Sequence, residues 1–186
     1  MSFDLKRSLR RFKPGRRTTR LIRRPDAALS FISEKATGGP ELLLDTCVYI
    51  DVLQRRAPER LKTLLAARLC NHSGIALAEL THLFGRLDPR DNRTRAVIAE
   101  ISGIILEIPE HRLTAPSTNV LGEAGILVGL SARLAGVRSG PALLNDAALY
   151  LQAIEQGQTL LTRNVREFDW FDQLLPSNRV LFYRQA

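Results

Sequence analysis

Beyond residue 39, the sequence alternates short apolar runs with longer stretches of helical periodicity. Four runs have the length and composition of buried β-strands, and they occupy residues 41–44, 74–77, 158–162 and 179–183. Strands and helices that alternate in this way form βαβ units, because parallel strands need a long crossover to return to the same edge of a sheet. The pattern predicts an α/β fold in which a mostly parallel central sheet lies between two layers of helices.

Stretches with helical spacing separate these runs. Val97, Ile101, Ile104 and Ile105 recur at the spacing that places apolar side chains on one face of a helix. Residues 143–156 are apolar nearly all round, which predicts a helix buried in the core. Further helices are predicted over residues 46–54, 58–69, 121–135 and 169–175, and after the second strand as far as Phe84.

The charge of the chain is concentrated at its N-terminus. Residues 1–24 hold ten of the 27 Lys and Arg residues and one acid, Asp4, so this segment accounts for the formal net charge of +8. The rest of the chain is close to neutral. A basic segment of this kind is attracted to polyanions such as nucleic acid, an anionic membrane surface or an acidic partner.

We therefore predict a basic N-terminal extension over residues 1–39, partly disordered or helical, and a single α/β domain over residues 40–186. A break at Gly38-Gly39-Pro40 separates the two parts. Within the extension, a short amphipathic helix is expected before Pro14-Gly15, and residues 27–32 are weakly helical. Nonspecific contacts to phosphates are predicted for arginines of the extension and for one in the domain, which are Arg7, Arg10, Arg11, Arg16, Arg17 and Arg163.

The chain has two cysteines, Cys47 and Cys70, and no Cys-x-x-Cys pair. Two cysteines are too few for a disulfide framework, which favours a reducing compartment and predicts a cytoplasmic protein. No apolar run approaches the roughly 20 residues that a membrane span requires, so no transmembrane segment is predicted.

Three acids occupy similar places relative to the predicted elements. Asp45 closes the first strand, Glu79 follows the second, and Asp146 stands near the start of the buried helix. In parallel α/β sheets the carboxyl ends of the strands and the adjacent helix N-termini form the active edge, so acids at these points can converge. Carboxylates buried together need a neutralising cation, and oxygen ligands favour Mg²⁺ or Mn²⁺. Such ions are the recurring device for phosphodiester hydrolysis.

Spacing alone leaves structural explanations open for each acid. Asp45 is equally suited to capping a helix or forming a turn. Glu79 is compatible with the surface of a helix, and Asp146 with a helix first turn, where the dipole favours negative charge. Arg163 also fits a solvated surface charge.

Four motifs in order resemble those of PIN-domain nucleases. Residues 42–50 (LLLDTCVYI) resemble their opening strand, 75–80 (IALAEL) their second acidic motif and 145–149 (NDAAL) their third. Residues 157–168 (GQTLLTRNVREF) are similar to the closing motif of the VapC-type toxins. The resemblance covers about residues 41–184.

The resemblance implies a PIN-like α/β/α domain that cleaves RNA with Mg²⁺ or Mn²⁺, either as a toxin or in RNA processing. Asp45, Glu79 and Asp146 would be catalytic residues and metal ligands, Asn164 would complete the catalytic set, and the products would carry a 5′-phosphate. Thr46, Thr162 and Glu167 would support the site. An antitoxin protein and a second copy of the chain are the partners that this family implies besides RNA.

Two positions depart from the family pattern. Asn164 stands where many members carry a fourth acid, and it supplies no charge; Glu167, three residues on, is the candidate replacement. Cys47 stands where members usually carry a polar residue such as Asn, which predicts weaker support for Asp45. The alternative function is therefore a catalytically weak PIN fold that binds nucleic acid or protein through its basic extension.

Overall fold

The computed structural model describes residues 3–33 and 38–186, which form a five-stranded sheet with helices on both faces. In chain order the strands are β1 (Leu42–Leu44), β2 (Cys70–Ser73), β3 (Leu113–Thr114), β4 (Thr159–Thr162) and β5 (Val180–Phe182). They lie in the order β3-β2-β1-β4-β5, and every neighbouring pair is parallel. The parallel sheet confirms the predicted fold class.

Eight α-helices surround the sheet in the described part of the chain. They are α1 (Leu5–Phe12), α2 (Thr46–Leu53), α3 (Glu59–Ala67), α4 (Gly74–Arg86), α5 (Thr94–Leu106), α6 (Thr118–Ala135), α7 (Pro141–Glu155) and α8 (Val165–Leu174). Those over residues 46–54, 58–69, 97–105, 121–135 and 143–156 match their predictions to within a few residues. Helix α8 begins at Val165, four residues before the predicted start at Asp169.

The sheet separates two hydrophobic cores because successive side chains of a strand point to opposite faces. Leu43 packs with α1, α6, α7 and α8 on one face. Leu42 and Leu44 pack with α2, α3, α4 and α5 on the other. In β4, Leu160 and Leu161 divide between the same two cores. The result is the three-layer α/β/α arrangement that the alternating pattern predicts.

The second strand lies four residues earlier than predicted. Residues 74–77 form the start of α4, while the polar segment Cys70–Ser73 forms β2. This strand tolerates polar residues because tertiary contacts satisfy them: the Asn71 amide donates to the Glu41 carboxylate at 2.8 Å, and the Ser73 hydroxyl donates to Gln152 Oε1 at 2.7 Å. The prediction of a strand at 74–77 is wrong, and Glu79 therefore lies in the second turn of α4.

The weakly helical segment predicted over residues 27–32 has a different structure. A short 3-10 helical turn covers Asp26–Ala28, and Phe31 then forms a parallel bridge to Phe182 at the edge of β5. The backbone N–H of Ile32 donates to Phe182 O at 2.8 Å. The extension thus covers an otherwise open edge of the sheet.

The described part of the N-terminal extension packs along the domain. Phe12, at the end of α1, is fully buried in the core formed by α6, α7 and α8. Further along, the Leu21 N–H donates to Leu134 O at 2.9 Å. Arg24 donates through Nε to the fully buried Asp169 at 2.5 Å and through Nη2 to Asp172 at 2.8 Å. Both apolar burial and ion pairs therefore attach the extension to the domain.

Replacing Phe12 by Leu is expected to lower the free energy of unfolding by about 1–2 kcal/mol, because the smaller side chain leaves a gap in a closely packed core. Thermal or urea unfolding measures the change. The matched control is Leu9→Ala on the same helix, where the side chain is 44% exposed and the effect should stay below about 0.5 kcal/mol. Equal stability of Phe12→Leu and the unmodified protein would show that the extension lies outside the cooperative fold.

Among the described residues, no helix combines the length and the hydropathy that crossing a membrane requires.

Candidate active site

The candidate site lies at the carboxyl ends of β1 and β4, the two neighbouring strands in the middle of the sheet. From β1 the chain proceeds through β2 and β3 on one side and returns through β4 and β5 on the other. The crevice between β1 and β4 is therefore the topological switch point, where parallel α/β sheets bind their ligands. Asp45 directly follows β1, and Asn164 lies two residues after β4.

An open cavity of about 740 Å³ occupies this crevice. Its lining includes all four residues predicted to be catalytic, which are Asp45, Glu79, Asp146 and Asn164. Four separate elements supply them: the end of β1, α4, α7 and the start of α8. Residues up to 119 positions apart thus meet in one place.

Asp45 is 5% exposed and is held by two short contacts. Its Oδ2 accepts from Thr162 Oγ1 at 2.5 Å and from Cys47 Sγ at 3.0 Å. Burial raises the pKa of Asp45, and nearby Glu79 raises it further, while the bonds from Cys47 and Thr162 act in the opposite direction. The thiol of Cys47 thus supplies a donor to Asp45 in place of the polar residue of the family pattern.

Glu79 is oriented by donors from two other helices. Thr46 Oγ1 donates to its Oε2 at 2.6 Å, and Asn145 Nδ2 donates to its Oε1 at 2.8 Å. Each oxygen of the Glu79 carboxylate thus accepts a hydrogen bond, and these two bonds fix the orientation of the side chain. Asn145 was not among the predicted site residues; its place directly before Asp146 was the available signal.

Asp146 lies in the second turn of α7, and its pKa is strongly raised. Burial, followed by the charges of Asp45, Glu79 and Glu167, raises the pKa of Asp146 from 3.8 to about 8. One bond opposes this shift, from Asn164 Nδ2 to Asp146 Oδ2 at 3.1 Å. A pair of close, desolvated carboxylates is a common signature of a functional site.

Of the three predicted supporting residues, two touch the acids and one acts at longer range. Thr46 and Thr162 donate directly to Glu79 and Asp45. Thr162 also accepts from the backbone N–H of Asn164 at 2.9 Å, which places the Asn164 amide beside Asp146. Glu167 does not line the cavity, but its charge contributes to the raised pKa of Asp146.

The chemistry of the donor set fits a hard divalent cation. Three carboxylates and an amide oxygen are the ligand types that Mg²⁺ and Mn²⁺ prefer, and a cation would offset the burial and the neighbouring charges that raise the pKa of Asp146. In residues 3–33 and 38–186, no three His, Cys, Asp or Glu side chains are arranged as a preformed metal centre. Asp45, Glu79 and Asp146 would hold the ion after adjusting around it.

The arginines predicted to contact nucleic acid are distributed over different surfaces. Arg163 lines the acidic cavity, whereas Arg7 and Arg11 line a separate cavity of about 390 Å³ beside α1. Arg11 forms an ion pair with Glu123, and Arg17 donates to Leu174 O at 2.7 Å, so both also bind the extension to the domain. Arg10 and Arg16 are exposed.

Three other arginines line the acidic cavity and were not predicted to do so, namely Arg23, Arg166 and Arg184. Arg23 belongs to the N-terminal extension and Arg184 to the C-terminal segment, so their meeting depends on the path of the chain. Of the four arginines that line this cavity, only Arg163 was predicted from the sequence as a phosphate contact.

The fold and this cavity together define an α/β protein with an acidic site at the switch point of a parallel sheet. No protein-family model matches the sequence, nor does any curated protein. Solved structures do match its fold. The VapBC2 complex of Rickettsia felis bound to a promoter DNA fragment contains a chain with a TM-score of 0.55 and 19% identity, covering 77% of this chain and 98% of its own.

Chains of two further complexes also match the fold. DNA-bound VapBC from Salmonella typhimurium matches with a TM-score of 0.53 and 22% identity, covering 76% of this chain and 97% of the other. FitAcB from Neisseria gonorrhoeae matches with a TM-score of 0.56 and 19% identity, covering 76% and 96%. At these identities the shared feature is the fold. The chain therefore has a VapC-like PIN fold, as its four motifs predict.

Proposed function

We propose that the protein is a divalent-metal-dependent endoribonuclease of the VapC-like kind, acting as a toxin or in RNA processing. The observation that carries the proposal is the convergence of Asp45, Glu79 and Asp146 on one cavity at the switch point of the sheet. Three carboxylates in one cavity, with Asp45 and Asp146 desolvated, disfavour one another unless a cation is bound. Cation-assisted phosphodiester hydrolysis is the chemistry that such a site serves.

Each residue of the site has a role that its contacts support. Asp45 offers a carboxylate fixed by Thr162 and Cys47. Glu79 is fixed by Thr46 and Asn145 and lines the same cavity. When bound, Mg²⁺ or Mn²⁺ supplies positive charge that favours attack of water on phosphorus and offsets charge developing on the phosphate. Asp146 holds a proton near neutral pH while no cation is present, so cation binding should release it.

Asn164 favours a second candidate function. It is uncharged at the position where many PIN-domain nucleases carry a fourth acid, and its Nδ2 group donates a hydrogen bond to Asp146. A PIN fold with three acids would bind a cation more weakly than one with four. The protein would then bind nucleic acid or a protein partner with little catalysis.

Cleavage of total RNA at low salt distinguishes the two functions. We expect discrete cleavage products with Mg²⁺ or Mn²⁺ and none with EDTA, because the acids cannot assist hydrolysis alone. Ligation of an adaptor that requires a 5′-phosphate should then capture the products. Retention of RNA on a filter without cleavage under any metal would support the binding function and contradict the nuclease.

We also propose a protein partner for the domain. The structural neighbours are complexes, named VapBC2, VapBC and FitAcB. On this chain, α2 and α5 carry exposed apolar side chains, including Val52 and Leu106, the latter 84% exposed. An antitoxin-like protein or a second copy of the chain would bury such side chains. A cytoplasmic location would suit both the RNA substrate and the free cysteines.

A further inference from the structure

The mouth of the acidic cavity is lined by four arginines, Arg23, Arg163, Arg166 and Arg184, which we call the arginine rim. They come from three distant parts of the chain: the N-terminal extension, the segment from Arg163 into the start of α8, and the C-terminal segment. Their side chains are between 39% and 65% exposed, so solvent and a large ligand can reach them.

One acid positions two members of the rim. The Asp26 carboxylate accepts from Arg23 through Oδ1 and from Arg184 through Oδ2. The Arg184 guanidinium also lies over the Phe31 ring, 5.0 Å from its centroid. Phe31 is itself joined to the sheet by its bridge to Phe182. The extension and the C-terminal segment are thereby joined at the edge of the cavity.

The other two members are positioned by the domain. Arg163 Nε lies 2.8 Å from Asp51 Oδ2, and Asp51 is fully buried. Tyr183 Oη donates to Asp51 at 2.7 Å, and Gln185 Nε2 does so at 2.7 Å, which fixes the carboxylate. Arg166 lies over the Trp170 ring, 5.1 Å from the centroid.

These contacts orient the guanidinium groups without using all their donors. A guanidinium has five N–H donors, and the close ion pairs of Arg23, Arg163 and Arg184 each engage one nitrogen. Arg166 lies farther from its acid, 3.9 Å from Glu167. The remaining donors suit phosphate oxygens, which arginine binds with two parallel hydrogen bonds. Positive groups at the mouth and carboxylates at the floor form a site with two kinds of charge.

We propose that the arginine rim binds the sugar–phosphate backbone of RNA on either side of the phosphate that is cleaved. This inference rests on the proposed nuclease function and specifies its substrate as a polynucleotide strand. The acidic floor would repel a polyanion, so flanking phosphates need positive partners at the mouth. The N-terminal extension is thus part of the active site through Arg23 and Asp26, and a mononucleotide, which reaches one or two arginines at most, binds poorly.

The test measures binding of a fluorescent single-stranded RNA of 20 nucleotides over a range of salt concentrations, in Mg²⁺, with Asp45→Asn as the background to prevent cleavage. Arg23→Ala combined with Arg184→Ala is expected to raise Kd about 5- to 20-fold at low salt and to reduce the salt slope by about one to two. Arg166 lies in α8, which belongs to the domain and not to the extension. Arg166→Ala should therefore raise Kd several-fold whether or not the extension stays attached.

The control is Arg20→Ala, which, like each single rim substitution, removes one positive charge, here from an exposed position of the extension that does not line the cavity. Its Kd should change by less than about twofold, because it loses only long-range attraction. Adenosine monophosphate should compete with the RNA only weakly. In the active protein, Arg23→Ala should raise KM and leave kcat within about twofold, as expected for a residue that binds the substrate and the transition state equally.

The outcomes separate the two proposals. Equal Kd and equal salt slope for the rim variants and Arg20→Ala would overturn the role of the rim, whatever the protein cleaves. Absence of RNA cleavage by the unmodified protein with either metal would overturn the nuclease function, and rim-dependent RNA binding would then remain as a separate result.

Discussion

Replacing Asp45 by Asn should reduce RNA cleavage by about 10³-fold or more, to the background of the assay. The substitution removes one negative charge from the carboxylate that lies at the centre of the site and leaves its shape unchanged. Thr162 and Cys47, which donate to Oδ2, can still donate to an amide oxygen. We therefore expect loss of activity without loss of fold.

The measurement is the initial rate of cleavage of a labelled RNA at saturating Mg²⁺ or Mn²⁺, with folding checked by circular dichroism. Asp91→Asn is the matched control, because Asp91 precedes α5 and does not line the cavity. It should cleave at the rate of the unmodified protein. Equal rates for Asp45→Asn and the unmodified protein would exclude the nuclease mechanism proposed for this site.

Replacing Asp146 by Asn should stabilise the metal-free protein, even though it removes a proposed metal ligand. The pKa of Asp146 is raised from 3.8 to about 8, chiefly by burial. An acid whose folded-state pKa is raised binds its proton more tightly in the folded state, so stability falls as the pH rises from the unfolded to the folded value. The destabilisation grows by up to about 1.4 kcal/mol per pH unit within this window.

The expected gain of Asp146→Asn is therefore near zero at pH 4 and largest at and above pH 8. At pH 7 it should reach a few kcal/mol at most, which corresponds to about 2–4 °C in Tm for each kcal/mol in a chain of this size. Thermal unfolding in EDTA at pH 4, 6 and 8 measures it. Added Mg²⁺ should stabilise the unmodified protein more than the variant, because only the former keeps all three ligands.

Asp91→Asn again serves as the control, because the pKa of Asp91 is shifted in the opposite direction from that of Asp146. Bonds from Arg93 lower the pKa of Asp91 to about 2, so its replacement should bring no gain at any pH. If Asp146→Asn unfolds at the same temperature as the unmodified protein from pH 4 to pH 8, the cost inferred for burying Asp146 beside other carboxylates is wrong.

The acids of the candidate site could be predicted from the sequence because they adjoin strongly patterned elements. Asp45 follows three consecutive leucines, and Asp146 lies in a segment that is apolar nearly all round. Such segments are recognisable without knowledge of their neighbours, and the rule for parallel sheets then places the acids at one edge. Glu79 was found through its motif, although its element was predicted wrongly.

The error at β2 has a physical cause. The strand Cys70–Ser73 is polar, and it lies in the sheet because Asn71 and Ser73 find partners on Glu41 and Gln152. These partners are distant in sequence, so local propensity favoured the apolar residues 74–77 instead. The two-residue strand β3 has no local pattern at all and is defined only by its pairing with β2.

The sequence by itself determined the parallel α/β architecture and predicted which acids meet in one cavity, because burial imposes a periodicity that can be read locally. It also determined that positive charge is concentrated in the extension. Only the tertiary structure decided where that charge goes: Phe12 enters the core, Arg24 pairs with a buried acid, and Arg23 reaches the cavity. These contacts join residues far apart in the chain, and their formation depends on packing and desolvation that no local pattern records.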